Sequence, residues 1–200
     1  MYIHGGRDLK EGAISSMWRV NLSAIQQLSH NPSTKANWEQ VATSGRDIGK
    51  ISHHTCSMVS AKEIVFFGGL KGENSSQNVH MLNLVTNNWT NLALKSKIGD
   101  LGRDDHACAD FKNGSFLTFG GYVNGSRVDE VVRFKLEGSS LTAERVQGGT
   151  EATSAGPAPR AGCSVGVSTD NMVYLFGGQE DDNRKLDDIW CYDQATNQWT

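Results

Sequence analysis

Apolar residues recur along this chain in short runs that end in paired glycines. The run from Met172 to Phe176 ends at Gly177-Gly178; a polar loop follows, and "DIWCYD" alternates before the turn "QATN" and Trp199. A period of two is typical of half-buried strands, and paired glycines mark a place where a side chain is not tolerated. Helical spacing is absent. The pattern predicts a strand, a sharp bend, a strand, a tight turn and the start of another strand.

This template occurs four times. The runs "MYIHGG", "EIVFFGG", "SFLTFGG" and "MVYLFGG" are 52 to 63 residues apart. Trp38, Trp89 and Trp199 follow their glycine pairs by 32, 20 and 21 residues, whereas the third copy has "TAERV" at that place and has lost its Trp. The chain is therefore predicted to be a tandem array.

A second anchor precedes the internal glycine pairs. His54, His106 and Cys163 each lie 14 residues before the first glycine of a pair, and Arg103 and Arg160 precede the last two of them. A double glycine after an apolar strand, a downstream Trp and a period near fifty residues together resemble the kelch repeat, which builds four-stranded blades of a β-propeller. The resemblance covers essentially the whole chain and implies an all-β fold. Another antiparallel β-array or sandwich with coincidental glycines is the alternative.

The repeats divide residues 1–200 into four blades' worth of kelch sequence. Residues 1–42 are a partial blade, 43–93 and 94–147 are blades, and 148–200 are a blade that lacks the end of its last strand. A short helical turn is predicted at residues 24–28. Kelch propellers mostly carry five to seven blades, so the chain is predicted to be an incomplete part of a ring. The remaining blades are expected in the same chain or in a second one, because an open ring exposes unpaired edges.

Charge and hydropathy exclude several classes of protein. The formal net charge is −3 and the pI is near 6.1, with no basic stripe, so nucleic acid is not an expected partner. The apolar runs are too short to span a bilayer, and "MYIHGGRDLK" lacks the features of a signal peptide. We expect a soluble, cytoplasmic protein without membrane insertion.

Most of the recurrent residues have a structural explanation. The four strands of a blade are called a to d in chain order. The paired glycines let strand b bend where a side chain would clash, the tryptophans supply apolar area between blades, and the two histidines are predicted to hydrogen-bond the backbone of the adjoining turn. A residue that recurs once per blade serves the blade. These positions are Gly5, Gly6, Gly68, Gly69, Gly120, Gly121, Gly177, Gly178, Trp38, Trp89, Trp199, His54 and His106.

The four cysteines give no sign of a metal site. Cys56 and Cys108 occupy the same position of strand a in successive blades, where the fourth blade has Val165. Buried free thiols are therefore the favoured interpretation. Cys163 and Cys191 complete the set, and the four are spread over different blades, whereas zinc needs clustered ligands. Neither a metal nor a cofactor is expected.

Function is expected to reside in loops that vary while the strands repeat. In an antiparallel meander the loops between strands b and c, and the linkers between strand d and the next strand a, leave the same face. Arg7, Arg103, Arg127 and Arg160 lie in these segments. Kelch proteins that recruit substrates to ubiquitin ligases use arginines before strand a to hold acidic peptides, and a guanidinium can bind a carboxylate bidentately. The alternative is that these arginines cap loops or pair with Asp104, Asp105 or Asp187.

The leading hypothesis is a non-catalytic scaffold that binds a partner protein or an acidic peptide segment. Adaptor function in a ubiquitin ligase is one alternative. A kelch-type enzyme (an oxidase, a mutarotase or a specifier protein) is another, and it is disfavoured. The four tyrosines lie in ordinary strand or loop positions, no E-x-x-x-D-x-x-x-D motif occurs, and no nucleophile, base and orienting acid stand at a motif-like spacing.

Overall fold

The computed structural model describes residues 1–23, 37–148 and 156–200. The helical turn predicted at 24–28 and part of the predicted linker at 148–162 lie outside these residues. The described fold is nearly all β and forms four blades of a β-propeller, as the repeats predict. Among the described residues, the first and last blades each have one side that no other blade covers, so these four blades do not close a ring.

The first blade has three strands in the order β1 (Tyr2–His4), β4 (Met17–Arg19), β5 (Glu39–Gln40). The fourth has four, in the order β20 (Ser164–Val167), β21 (Val173–Phe176), β22 (Ile189–Asp193), β23 (Gln198–Trp199). Neighbouring strands in both blades are antiparallel.

The second and third blades are five-stranded sheets. Strands a to d of the second are β7 (Thr55–Ser60), β8 (Glu63–Phe67), β11 (Val79–Asn83) and β12 (Asn88–Asn91). Those of the third are β14 (Ala107–Asp110), β15 (Ser115–Phe119), β18 (Val131–Glu137) and β19 (Ser140–Gln147).

The fifth strand of each of these blades comes from the linker that leads into strand a of the same blade. The strand β6 (Ser44–Gly45) pairs in parallel with β12, and β13 (Ala93–Ser96) pairs in parallel with β19. The sequence predicts that the linkers between strand d and the next strand a are loops on the binding face. These residues instead cover part of the outer edge of the blade that the linker enters, where unpaired backbone groups would otherwise be exposed.

Burial along strand b shows which sides of a blade are covered. In β8 and β15, four consecutive residues are buried, because a blade packs on each side. In β21 burial alternates, since Val173 and Leu175 face the third blade while Tyr174 and Phe176 face outward. Three apolar clusters, one at each junction between successive blades, form the core.

The third blade fills the place of its missing Trp with stacked phenylalanines. Ala143 stands opposite Phe134 in the sheet, whereas Trp89 stands opposite Leu82 and Trp199 opposite Tyr192. The Phe134 ring stacks on Phe116 with centroids 4.8 Å apart and contacts Phe67 at 4.6 Å. The sheet therefore keeps a dense core with small Ala143 in strand d.

In the second and third pairs, the two glycines lie against different blades. A Cβ on Gly68 would lie 2.5 Å from the Arg103 carbonyl oxygen of the following blade, whereas one on Gly69 would lie 2.6 Å from His54 Cβ in its own blade. Both have positive φ, +70° and +89°. The N–H of Gly69 also donates to the Arg103 carbonyl, at 2.8 Å. The pair therefore joins two blades as well as turning the chain.

Candidate functional site

Four loops between strands b and c lie on one face of the propeller, which we call the hairpin face (residues 7–13, 70–75, 122–127 and 179–185). Three of the loops form short hairpins: β2 (Arg7–Asp8) with β3 (Gly12–Ala13), β9 (Leu70–Lys71) with β10 (Asn74–Ser75), and β16 (Tyr122–Val123) with β17 (Ser126–Arg127). The fourth has a single bridge between Gln179 and Lys185. The variable loops thus have regular backbone structure, which sequence reasoning had not predicted.

Arg103 and Arg160 lie inside the protein, in contrast to the expectation that they contact a partner. Their relative exposures are 0% and 1%. Arg103 Nη2 donates to Glu130 at 2.8 Å, and Arg160 donates two hydrogen bonds to Asp188, at 2.6 and 2.8 Å. Their guanidinium groups therefore serve the fold rather than a ligand.

The partners of these two arginines occupy equivalent positions. Glu130 and Asp188 each directly precede strand c, whereas the sequence reading had considered Asp104, Asp105 and Asp187. Arg160 also donates to the Gly177 carbonyl at 3.0 Å. Its hydrogen bonds lower the pKa of Asp188 to about 2. The shared place of the two acids, one residue before strand c, was the signal in the sequence that could have revealed the pairs.

Arg127 links two loops of the hairpin face. Its Nη1 donates to Asp181 of the fourth blade at 3.2 Å, and its guanidinium lies 4.7 Å from the centre of the Tyr122 ring. Only 6% of its side chain is exposed. A similar link joins the second and third blades, where Ser75 donates to Asp104. These contacts fix the loops relative to one another.

The tips of the loops remain exposed and differ in chemistry. Arg7 is exposed, as are Leu9, Lys10 and Lys71 in the first two hairpins. Leu9 is completely exposed, at 101%. The same two hairpins expose the acids Asp8, Glu11 and Glu73, and the fourth loop carries both acids and cations, among them Asp181 and Arg184. Of the four predicted arginines, Arg7 is the one whose side chain is available to a partner.

A shallow cavity of about 340 Å³ opens between the third and fourth blades. Tyr122, Phe176 and Leu186 provide apolar walls, and Asp105 and Lys185 provide charge. It includes the uncovered side of the fourth blade, since Phe176 is 51% exposed.

The histidines form a chain of contacts at the blade junctions. His106 Nε2 and the Thr55 hydroxyl share a hydrogen bond of 2.7 Å, so this histidine contacts a side chain of the preceding blade rather than the backbone of its own turn. His54 lies 5.7 Å from His4, ring to ring. Burial lowers the pKa of His4 and of His54 to about 4. The imidazoles are neutral packing groups at neutral pH.

The thiols are free, but their predicted burial is wrong for Cys56, which is exposed. Cys108, Cys163 and Cys191 are partly exposed. Across residues 1–23, 37–148 and 156–200, no three His, Cys, Asp or Glu side chains are placed to hold a metal ion. In the same ranges, no helix is long and apolar enough to cross a membrane.

A comparison with protein-family models decides the relationship. The KLHDC2/KLHL20/DRC7 Kelch-repeats domain matches residues 1–200. The chain belongs to the kelch-repeat family. Kelch repeats are commonly protein-interaction scaffolds, and membership of this family favours a non-enzymatic repeat protein.

Three curated kelch relatives are similar over most of the chain. Kelch domain-containing protein 1 of Mus musculus is 29% identical over 60% of this chain and 28% of its own length. Tip elongation aberrant protein 3 of Schizosaccharomyces pombe is 24% identical over 100% of the chain and 19% of its own length. Rho GTPase-activating protein gacHH of Dictyostelium discoideum is 27% identical over 74% of the chain and 10% of its own length. The matched kelch segment is thus between a tenth and about a quarter of each relative.

Proposed function

We propose that this kelch chain is a non-catalytic binding platform that holds a partner protein through the tips of the hairpin face. The observation that carries the proposal is the contrast between the fixed bases and the exposed tips of the loops. The Arg127 to Asp181 pair fixes two of them, while Arg7, Leu9 and Lys71 are exposed without a structural task in the described contacts. Exposed, variable loops on a rigid scaffold are suited to recognition, because little entropy is lost on binding.

Exposed cations at the tips suit an acidic segment of the partner, because a guanidinium or ammonium group can hold a carboxylate. These cations are Arg7, Lys10 and Lys71, and the same loops also expose Asp8, Glu11 and Glu73, so the tips carry both signs of charge. The arginines before strand a take no part, since both are buried. The ubiquitin-ligase alternative stays a prediction without support from a specific contact in this chain.

We also propose that further kelch blades, in the same chain or in another, pack on the two uncovered sides of the array. Phe176 occupies the position that Phe67 and Phe119 have in the internal blades, where their exposures are 1% and 4%. On the first blade, Ile3 and Trp18 are paired across β1 and β4, and both are exposed. These two sides have the composition of the buried junctions between blades.

The test of the platform is charge reversal at the tips in the natural full-length protein. Arg7→Glu with Lys71→Glu should remove the stoichiometric partner that is captured from the native source, as measured by quantitative mass spectrometry. The matched control is Lys62→Glu with Lys112→Glu, which makes the same charge change in exposed turns between strands a and b on the opposite face. Equal capture by both variants would contradict the placement on the hairpin face.

A further inference from the structure

The long outer strand of the third blade is only half covered. β13 pairs with residues 140–143 of β19, from Ala93 opposite Ser140 to Ser96 opposite Ala143. The strand then continues through residues 144–147, while the chain of β13 leaves it at Lys97. Among the described residues, no strand pairs with this second half of the outer edge. The two segments therefore form a fork with an open strand edge on one side.

The fork borders an open, shallow cavity of about 660 Å³, larger than the one on the hairpin face. Residues 95–98 line one side and residues 142–145 the other. Ile98 and Ala143 are the apolar part of the lining, and both also belong to the junction between the second and third blades. A cavity of this size is within the range of ligand and peptide sites.

The charge around the fork is positive. Lys95 and Lys97 are exposed in its lining, and no ion pair is recorded for either within the described part of the chain. Arg145, also in the lining, is paired with Glu130 at 2.6 Å. The one carboxylate in the lining, Glu144, lies 4.0 Å from Arg133. Two lysine charges thus remain to attract an acidic group.

The second blade has no such fork. There β6 pairs with Asn88 and Trp89, and β12 ends at Asn91, two residues after the last pair, whereas β19 runs on for four. The pairing with strand d places Ser44 and Arg46 where the third blade has Lys95 and Lys97, so the second blade has one cation there instead of two. Of these two blades, the third is the one with the longer free edge and both lysines.

We propose that this fork is a docking site for an acidic peptide segment of another protein, bound in extended conformation along the edge of residues 144–147. Addition of a strand to an open sheet edge supplies main-chain hydrogen bonds, and side chains that alternate between two directions supply selectivity. Acidic side chains of the segment lie beside Lys95 and Lys97, and small apolar ones enter the cavity against Ile98. This site is separate from the hairpin tips, so the result of its test does not depend on whether the tips bind a partner.

The test uses three fluorescein-labelled peptides with the natural full-length protein and fluorescence anisotropy. The acidic probe is acetyl-EVEVEV-amide, the charge-inverted probe is acetyl-KVKVKV-amide, and the third is the acidic probe with N-methylated valines, which cannot donate along a strand edge. The acidic probe should bind at least about tenfold more tightly than either of the others. Its affinity should fall as salt rises from 50 to 300 mM, because the lysines are exposed.

Substitutions then locate the site. Lys95→Glu with Lys97→Glu should weaken binding of the acidic probe by about tenfold or more, whereas Lys62→Glu with Lys112→Glu should leave it unchanged. Equal binding of the N-methylated probe would overturn strand addition. Equal loss of probe affinity in the two double variants, or no loss in the variant at Lys95 and Lys97, would overturn the placement at the fork.

Discussion

Replacement of His4 by Phe should make the protein more resistant to acid. His4 packs at the junction of the first two blades, 5.4 Å from Phe66 and 5.2 Å from Trp89, ring to ring. The internal repeats have Phe67 and Phe119 at this position, so an aromatic ring without charge fits the repeat. The variant keeps the ring and removes the group that must be protonated.

The magnitude follows from the pKa of His4, which burial lowers from 6.5 to about 4, against a smaller opposing effect of Asp47. The folded state therefore binds fewer protons than the unfolded state between these pH values. The stability that neutral His4 contributes to the folded state is fully present above pH 6.5 and is lost as the pH falls toward 4. From pH 7 to 4.5, one such histidine costs about 2 kcal/mol, given 1.36 kcal/mol per pKa unit.

The assay is urea denaturation of the natural full-length protein at pH 7 and pH 4.5, followed by tryptophan fluorescence. His4→Phe should lose about 2 kcal/mol less than the parent between the two pH values. At pH 7 the variant gives up the hydrogen bond with the Ser15 backbone, which costs about 1 kcal/mol and does not affect the pH difference. His53→Asn, at an exposed histidine, is the control. If parent and His4→Phe lose equal stability, His4 does not titrate in this junction as argued.

Three further predictions concern single residues. Gly69→Ala should lower the free energy of unfolding by about 3 kcal/mol, because its Cβ would meet His54 and the Ser52 carbonyl. Gly72 also has a positive φ but has open space around its Cα, so Gly72→Ala should lower it by about 1 kcal/mol in the same urea denaturation assay. Equal losses in the two variants would refute the steric argument. Arg160→Met should lower the free energy of unfolding by about 3 kcal/mol, because Asp188 loses its buried partner. Arg184→Met, which removes an exposed pair with Glu180, should lower it by less than about 0.5 kcal/mol. Thermal denaturation that ranks the two variants in the opposite order would contradict the role of the buried pair. Burial raises the pKa of Cys163 to about 11, so less of the reactive thiolate is present in the native protein. At pH 8, iodoacetamide should therefore modify Cys163 about a hundredfold more slowly in the native than in the denatured protein. Equal modification rates, measured by peptide mass spectrometry, would show that burial does not protect this thiol.

The fold was predictable because its signals are local and repeated. Glycine pairs after apolar strands recur in four copies, and alternation within each strand indicates which residues are buried. The outer strands β6 and β13 were not predictable in the same way, since a strand of two or four residues has no periodicity of its own. Its pairing depends on where strand d of the same blade lies, which follows only after strands a, b and c.

The site was less accessible to sequence reasoning, because burial of an arginine depends on distant partners. Arg7 and Arg103 look alike in a loop sequence, yet one is exposed and the other has no exposed surface. The difference depends on Glu130, 27 residues further along the chain, which accepts a hydrogen bond from Arg103 and pairs with its charge inside the protein. Sequence spacing alone does not show whether an acid and an arginine meet.

The parallel outer strands decide where one blade ends and the next begins along the chain. Both β6 and β13 come before strand a of a blade, yet they pair with strand d at the far end of the same blade. A cut placed directly before β7 or β14 would remove the outer strand from the sheet that it completes and leave that sheet with a bare edge. A segment that can be moved as one folding unit therefore begins before β6 or β13, and not at the first strand of the four-stranded meander.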